Sequence, residues 1–232
     1  MKITFLTLTI SRFDLLDRLM GSVDKQTKLA DEIIIVDNSN GKLLNHYNAN
    51  RVIIANNLGL SLSLNLGIKL ADPDGLLIIS NDDNVLYPEA FETFEKLSIA
   101  HQSHPFFASK TNNFSVYALR PKLATETIGY FDEMFYPYGY EDNDYYRRMK
   151  LKNLNFITTK DPLAEIGLDG QPSQTTGSIQ TPQHIRETIH QCHTSNKLKY
   201  IAKWGGLPEQ EIFDTPFNQK INTYEHTNYN EL

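Results

Sequence analysis

The run Glu32-Ile33-Ile34-Ile35-Val36 constrains the fold more than any other stretch of the chain. A continuous aliphatic run of this kind suits a strand covered on both faces, as in parallel sheets flanked by helices. It stops at Asp37-Asn38-Ser39-Asn40-Gly41, which is a loop by composition. The neighbouring segments agree with it. Ile3 to Ile10 is β-branched and apolar, a second buried strand. Between them, Phe13, Leu15, Leu16, Leu19, Met20 and Val23 recur at helical spacing within residues 12–25.

Val52-Ile53-Ile54-Ala55 and Gly75-Leu76-Leu77-Ile78-Ile79-Ser80 add two strands, with a helix over Leu60 to Leu70 between them and another near Pro88 to Ala100. Strand and helix thus alternate, which predicts an α/β fold with a mostly parallel central sheet flanked by helices. In such sheets ligands bind beyond the carboxyl ends of the strands. That directs attention to Ser11 and Arg12, Asp37 to Asn40, Asn56 and Asn57, and Asn81 to Asn84. After residue 105 the pattern becomes aromatic and irregular, with a helix expected from Asp142 to Leu151. Residues 167–183 are rich in Gly, Pro, Gln, Ser and Thr and read as a mobile loop, of which Gly167 to Pro182 is a candidate lid over a bound donor. Residues 184–204 are helical in character, and the stretch from Gly205 has little periodicity.

The chain has 232 residues, of which 40% are hydrophobic, so one large domain can bury a core. A net charge of −6 argues against a surface that grips nucleic acid, because such surfaces carry a clustered basic excess. The single cysteine, Cys192, permits no intrachain disulfide and reads as a small hydrophobe in a helix. The N-terminus is too short and too β-like for a signal peptide, and no apolar run approaches the roughly 18–20 residues that span a bilayer. A cytoplasmic setting is the expectation.

Two clusters carry chemistry. Asn81-Asp82-Asp83-Asn84 follows a strand, and adjacent carboxylates repel unless something holds them together. A solvated turn is one reading; a hard divalent cation shared with a diphosphate is the other. Tyr140-Glu141-Asp142-Asn143-Asp144 opens a helix. Its acids either complement the helix dipole or supply a carboxylate base at a substrate cleft. Glu141 and Asp142 project in different directions, so one can face an acceptor hydroxyl while the other binds sugar or acceptor. Nearby aromatic residues would offer a stacking wall for a sugar ring.

Taken in order, the pieces resemble a family 2 glycosyltransferase of the GT-A fold. Thr9-Ile10-Ser11-Arg12 is similar to the end of that family's first strand, and Asp31 to Ser39 to its second strand with a nucleotide-contacting acid. Asn57-Leu58-Gly59 and Asn65-Leu66-Gly67 resemble its paired Asn and Gly positions, and Asn81-Asp82-Asp83 stands where it has Asp-x-Asp. Ile128-Gly129-Tyr130-Phe131-Asp132-Glu133, then Glu141-Asp142-Asn143-Asp144, resembles "Gly-Phe-Asp-Glu … Glu-Asp-x-Asp". The resemblance covers roughly residues 3 to 165, and Lys203-Trp204-Gly205-Gly206-Leu207-Pro208 resembles a tail found in some members.

The resemblance implies one GT-A domain over 1–232, with a nucleotide-sugar part (1–105), an acceptor and catalytic part (106–190) and a C-terminal helix and tail (191–232). It implies inverting transfer from a nucleoside-diphosphate sugar, a UDP-sugar by preference, to a glycan, lipid-linked or protein acceptor. Asp142 is then the base, with Glu141 beside it. Thr9, Ser11, Arg12, Asp37, Asn65, Asn81 and Asp82 contact the donor, and Asp83 holds Mn²⁺ or Mg²⁺. Two departures stand out. Asn81 replaces the first acid of Asp-x-Asp, and Ala164-Glu165-Ile166-Gly167-Leu168-Asp169 lacks the histidine the family often places there as a further metal ligand. Glu165, Asp169, His184, His190 and His193 are the candidate substitutes. The rivals are a nucleotidyltransferase, whose glycine-rich phosphate loop is missing from residues 9–18, and an inactive nucleotide- or glycan-binding module, against which Asp83 and Asp142 both speak.

Overall fold

The computed structural model describes residues 1–43, 46–110, 114–166 and 183–219, the last segment with side chains from residue 190. The elements up to the second acidic cluster are β1 (Ile3–Thr9), α1 (Phe13–Val23), β2 (Glu32–Asp37), β3 (Arg51–Ile54), α2 (Gly59–Leu70), β4 (Leu76–Asn81), β5 (Asn84–Leu86), α3 (Ala90–Ala100), β6 (Phe106–Ala108), β7 (Val116–Leu119) and α4 (Pro121–Thr127). A 3-10 turn over Glu133–Phe135 leads to α5 (Glu141–Leu151), β8 (Ile157–Thr158) and β9 (Ala164–Ile166). The long helix α6 (Gln183–Trp204) follows, then a 3-10 turn over Pro216–Asn218.

One seven-stranded sheet runs in the order β3-β2-β1-β4-β7-β6-β8. β1 pairs in parallel with both β2 and β4, and β2 pairs in parallel with β3. The aliphatic run behaves as its pattern requires: Ile34, Ile35 and Val36 are 0% exposed. Alternate residues serve opposite faces. Phe5, Ile33, Ile35 and Ile78 pack with Leu16 and Leu19 of α1 and Phe91 and Phe94 of α3. Leu6, Ile34, Val36 and Ile79 pack with Leu64 and Ile68 of α2 and with Tyr145 and Met149 of α5. Burying such a side chain contributes roughly 1.5–3 kcal/mol, so both helical layers are fixed to the sheet by its alternation.

The segment after residue 105, read from sequence as irregular, supplies three more strands of the same sheet. β7 pairs antiparallel with β4, β6 antiparallel with β7, and β8 parallel with β6. Phe106-Phe107-Ala108 is too short and too uniformly apolar to show a period. β5 and β9 form a separate antiparallel pair in which Asn84 faces Ile166, just after the first acidic cluster. Among the described residues, no helix is long and apolar enough to cross a membrane.

Candidate active site at the strand ends

β1 sits between β2 and β4, so the connections leave it in opposite directions and a crevice opens at its carboxyl end. A cleft of about 440 Å³ lies there, lined by Thr9, Ile10 and Ser11 after β1, Asn38 after β2, Asn81, Asp82 and Asp83 after β4, and Tyr138 and Cys192 on the far wall. Asn38 builds part of its floor by bridging elements. Its Nδ2 donates to Ser63 Oγ at 3.0 Å, and its Oδ1 accepts from the Leu58 amide at 2.8 Å. A smaller cavity of about 150 Å³ adjoins it, holding Glu141 and Asp142 with Phe114, Tyr117 and Phe131. Leu60 and Asn81 line both spaces, so the two acidic clusters, distant in sequence, meet across one wall.

Burial shapes the charge of both clusters. Asp82 is pushed up to about 7 by burial, with Asp83 adding to the rise and the Thr9 hydroxyl and Arg12 opposing it. Asp83 is also raised, again by burial first, against its own backbone amide and Arg12. Its Oδ1 is buried and has no hydrogen-bond partner. A buried, unsatisfied carboxylate oxygen is costly unless something arrives to occupy it. Two neighbouring acids held this way suit a hard divalent cation whose remaining oxygen ligands come from a diphosphate. Among the described residues, no group of three or more His, Cys, Asp or Glu is arranged to hold a metal ion by itself. Glu165 is exposed on β9 opposite Val85, His190 is exposed, and the exposed His193 packs its ring on Tyr140 at 5.0 Å. Asp169, the side chain of His184 and the expected lid over 167–182 lie outside the described residues.

At the second cluster, Tyr140 enters α5 with φ 72°, a left-handed conformation rare for a bulky residue. Such conformations cost about 1–2 kcal/mol and persist where packing enforces them, often beside functional groups. Glu141 follows, 5% exposed, with Oε2 buried and without a hydrogen-bond partner. Burial raises its carboxyl above the usual range, and Asp142 raises it further, against bonds from the Glu141 and Gly139 amides. Asp142 is likewise raised by burial, opposed by the Asn143 amide, which donates to its Oδ1 at 2.7 Å, and by His193.

The structure sorts the remaining residues singled out by sequence. Thr9, Ser11, Asn81 and Asp82 line the cleft together with Asp83. Arg12 is not part of that lining; its guanidinium grips Asp14 through Nε and a terminal nitrogen at 2.8 and 2.6 Å while its charge bears on Asp82 and Asp83. Asp37 pairs with Thr9 in the sheet register and is 0% exposed. Its Oδ1 accepts from the Ser39 amide at 2.8 Å, and its buried Oδ2 has no partner. Asn65 stands apart from the cleft. Its amide clamps Phe131, accepting from the backbone N–H at 2.8 Å and donating to the carbonyl at 2.9 Å, and it also donates to Glu133 at 3.0 Å. A side chain so occupied holds α2 to the 131–133 segment. Tyr138 and Cys192 of the cleft wall carried no such signal in sequence, since one sits in an irregular stretch and the other on a helix 54 positions later.

The sequence pattern of glycosyl transferase family 2 matches residues 5–155. No curated protein matches the chain. Among solved structures, TarS from S. aureus superposes with a TM-score of 0.57 at 14% identity, over 85% of this chain and 44% of that one. The chain therefore spans less than half of that protein's length. The 1–349 portion of S. aureus TarS, solved in complex with UDP-GlcNAc, gives 0.56 at 15% identity over 87% and 71%. A mannosyltransferase, PcManGT, from Pyrobaculum calidifontis, in complex with GDP-Man and Mn²⁺, gives 0.58 at 14% identity over 90% and 66%. At these identities the likeness is one of fold, the GT-A fold of glycosyltransferases.

Proposed function

The chain belongs to glycosyl transferase family 2, and from that membership we propose an inverting transfer of a sugar from a nucleoside-diphosphate sugar to an acceptor hydroxyl, assisted by a divalent cation. The observation that carries this reading is the junction at Leu60 and Asn81. It sets Asp83, with an open buried oxygen, in one space and Glu141 and Asp142 in the adjoining one. Leaving group and attacking hydroxyl need opposite sides of a single anomeric carbon, and two cavities sharing one wall suit that demand.

In this reading Thr9, Ser11, Asn81 and Asp82 hold the donor, and the Arg12 charge acts on the same anionic region. Bound at Asp83, Mn²⁺ or Mg²⁺ would supply Lewis-acid stabilisation of the diphosphate. Asp142 accepts the proton of the acceptor hydroxyl while that oxygen bonds to the anomeric carbon. The bond from that carbon to the diphosphate breaks, and the diphosphate departs with the electron pair. Asp37 offers one open oxygen for a base, the other being held by the Ser39 amide. One acceptor matches the single imide N–H of uracil, which favours a UDP-sugar. Similar structures hold either UDP-GlcNAc or GDP-Man, so the preference rests on Asp37 alone.

The acceptor is a hydroxyl of a glycan, a lipid-linked sugar or a protein. The seven-stranded sheet running through both halves supports a single domain with a donor part (1–105), an acceptor and catalytic part (106–190) and a C-terminal helix and tail (191–232). Incubating the protein with a panel of nucleotide sugars and Mn²⁺ tests the reading. Release of nucleoside diphosphate should be highest with one UDP-sugar, and no release from any donor would sink it.

A further inference from the structure

The tail Lys203-Trp204-Gly205-Gly206 has no place in the cleft, yet it ends on the helix that carries Glu141 and Asp142. Lys203 is 0% exposed, and its ammonium contacts Asp132 Oδ2 at 2.6 Å and Asp144 Oδ1 at 2.5 Å. Trp204 Nε1 donates to Asp144 Oδ1 at 2.9 Å, and Arg148 Nε donates to Asp144 Oδ2 at 2.9 Å. Asp132 Oδ1 accepts from the Met134 amide at 3.0 Å. Every oxygen of the buried Asp144 and of the partly buried Asp132 is thus in use. Charges taken this far from water persist only when paired and hydrogen-bonded on all sides.

The rest of α6 holds the segment between these two acids. Asn196 Nδ2 donates to the Phe135 and Tyr138 carbonyls at 2.7 and 2.8 Å, and Lys199 donates to the Met134 carbonyl at 2.7 Å. Tyr200 packs on Tyr140, the residue in the left-handed conformation, at 5.5 Å between rings. The glycines then turn the chain back. Gly205 has φ 77°, and a Cβ on Gly206 would stand 2.0 Å from the Gln210 carbonyl oxygen. The returning segment donates from the Ile212 and Phe213 amides to the Trp204 carbonyl, and the Phe213 carbonyl accepts from Arg147 of α5 at 2.8 Å.

We propose that Lys203 and Trp204 are positioning residues for the transfer reaction. Through Asp132 and Asp144 they fix the entry of α5, so that Glu141 and Asp142 face the small cavity beside the donor cleft. The inference rests on the glycosyl-transfer reading of that site. It separates the acids of one motif by role: Asp142 meets substrate, whereas Asp144, two positions on, is the anchor that the C-terminal helix grips.

The test is Lys203→Met in the full chain, which keeps the aliphatic stem and removes the charge. With the preferred donor, kcat should fall at least tenfold while the donor KM changes less than twofold, because none of Lys203, Trp204, Asp132, Asp144 and Arg148 lines the donor cleft. Amide exchange should rise about tenfold over 141–144 and stay unchanged over 13–23 in α1. A folded variant with wild-type kcat, or one whose exchange rises equally in α1 and α5, overturns the proposal. If Lys203→Met does not fold, Trp204→Phe decides instead. It keeps an aromatic ring and removes the hydrogen bond to Asp144 together with part of the buried indole. A several-fold loss of kcat at constant KM, with exchange rising at 141–144 alone, supports the clamp, and wild-type behaviour refutes it. Should the wild-type protein turn over no donor, the transfer reading fails by itself, and the contrast in exchange between α5 and α1 still decides whether the tail fixes α5.

Discussion

The two sides of helix α5 treat the same chemical group in opposite ways. Toward the cleft, Glu141 Oε2 is buried and open, as is Asp83 Oδ1 across the shared wall. Toward α6, Asp132 and Asp144 have all their oxygens occupied by Lys203, Trp204, Arg148 and the Met134 amide. Asp142 and Asp144 are two residues apart in one helical turn. Burial alone therefore does not mark a functional carboxylate. An unsatisfied buried oxygen is open to a ligand, whereas a saturated one is already serving the fold.

The sharpest way to break this comparison is to neutralise the two acids one at a time. Asp142→Asn should lower kcat by about 10²–10⁴, the usual loss for a positioned base, with nucleotide affinity and melting temperature near wild type. Asp144→Asn should do the reverse in stability. Removing one member of a buried ion network costs about 3 kcal/mol or more, which for a chain of this size is a fall of roughly 6–12 °C in Tm. Kinetics with the preferred donor and thermal melts of both variants decide it. Equal thermal losses in the two would erase the distinction between the faces.

Why this distinction is invisible in sequence is a matter of distance along the chain. Glu141-Asp142-Asn143-Asp144 reads as one acidic helix start, and nothing local reveals that Lys203 approaches Asp144 from 59 positions away. The same holds for Asn65: its spacing resembles a donor-contacting position, but its amide is used up on Phe131 and Glu133. The strands of the parallel half were legible, because Ile33 to Val36 can be satisfied only by helices on both faces. β6 and β7 were not, because three or four apolar residues without alternation carry no period. The strand-end rule located Asn81 to Asp83, yet not how open each oxygen would be, since that depends on Arg12, Thr9 and the packing around them.

A smaller effect sharpens the cleft side. Asp83→Ala should weaken nucleoside-diphosphate binding roughly tenfold in the presence of Mn²⁺, about 1.4 kcal/mol, and change little in its absence. Calorimetry under both conditions measures it. Equal losses with and without metal would mean that the open Oδ1 serves some purpose other than a cation.

The last effect is a pH dependence of stability that belongs to Glu141. Its carboxyl is raised by burial and by Asp142, so the folded chain holds this proton more tightly than the unfolded chain does. Stability then falls as pH rises from the ordinary carboxylate value, about 4.3, toward the raised one, because the folded state is the one that binds the extra proton. Glu141→Gln has no such proton to lose. Its amide introduces a donor into the cavity, but that penalty is the same at every pH and drops out of a comparison between two of them. The difference in melting temperature, variant minus wild type, should therefore become more positive between pH 5 and pH 8, by roughly 2–4 °C per kcal/mol with about 1.4 kcal/mol at stake per unit of raised pKa. Asp142 is raised too and remains in both proteins; beside a neutral glutamine it escapes the repulsion of an ionised neighbour, which moves the difference in the same direction. The same experiment on the saturated face gives the control: Asp132→Asn should show a loss of stability with no comparable growth toward pH 8. A Glu141→Gln difference that stays constant or turns more negative with pH would show that the buried oxygen holds its charge without strain, and the contrast between the two faces of α5 would lose its electrostatic basis.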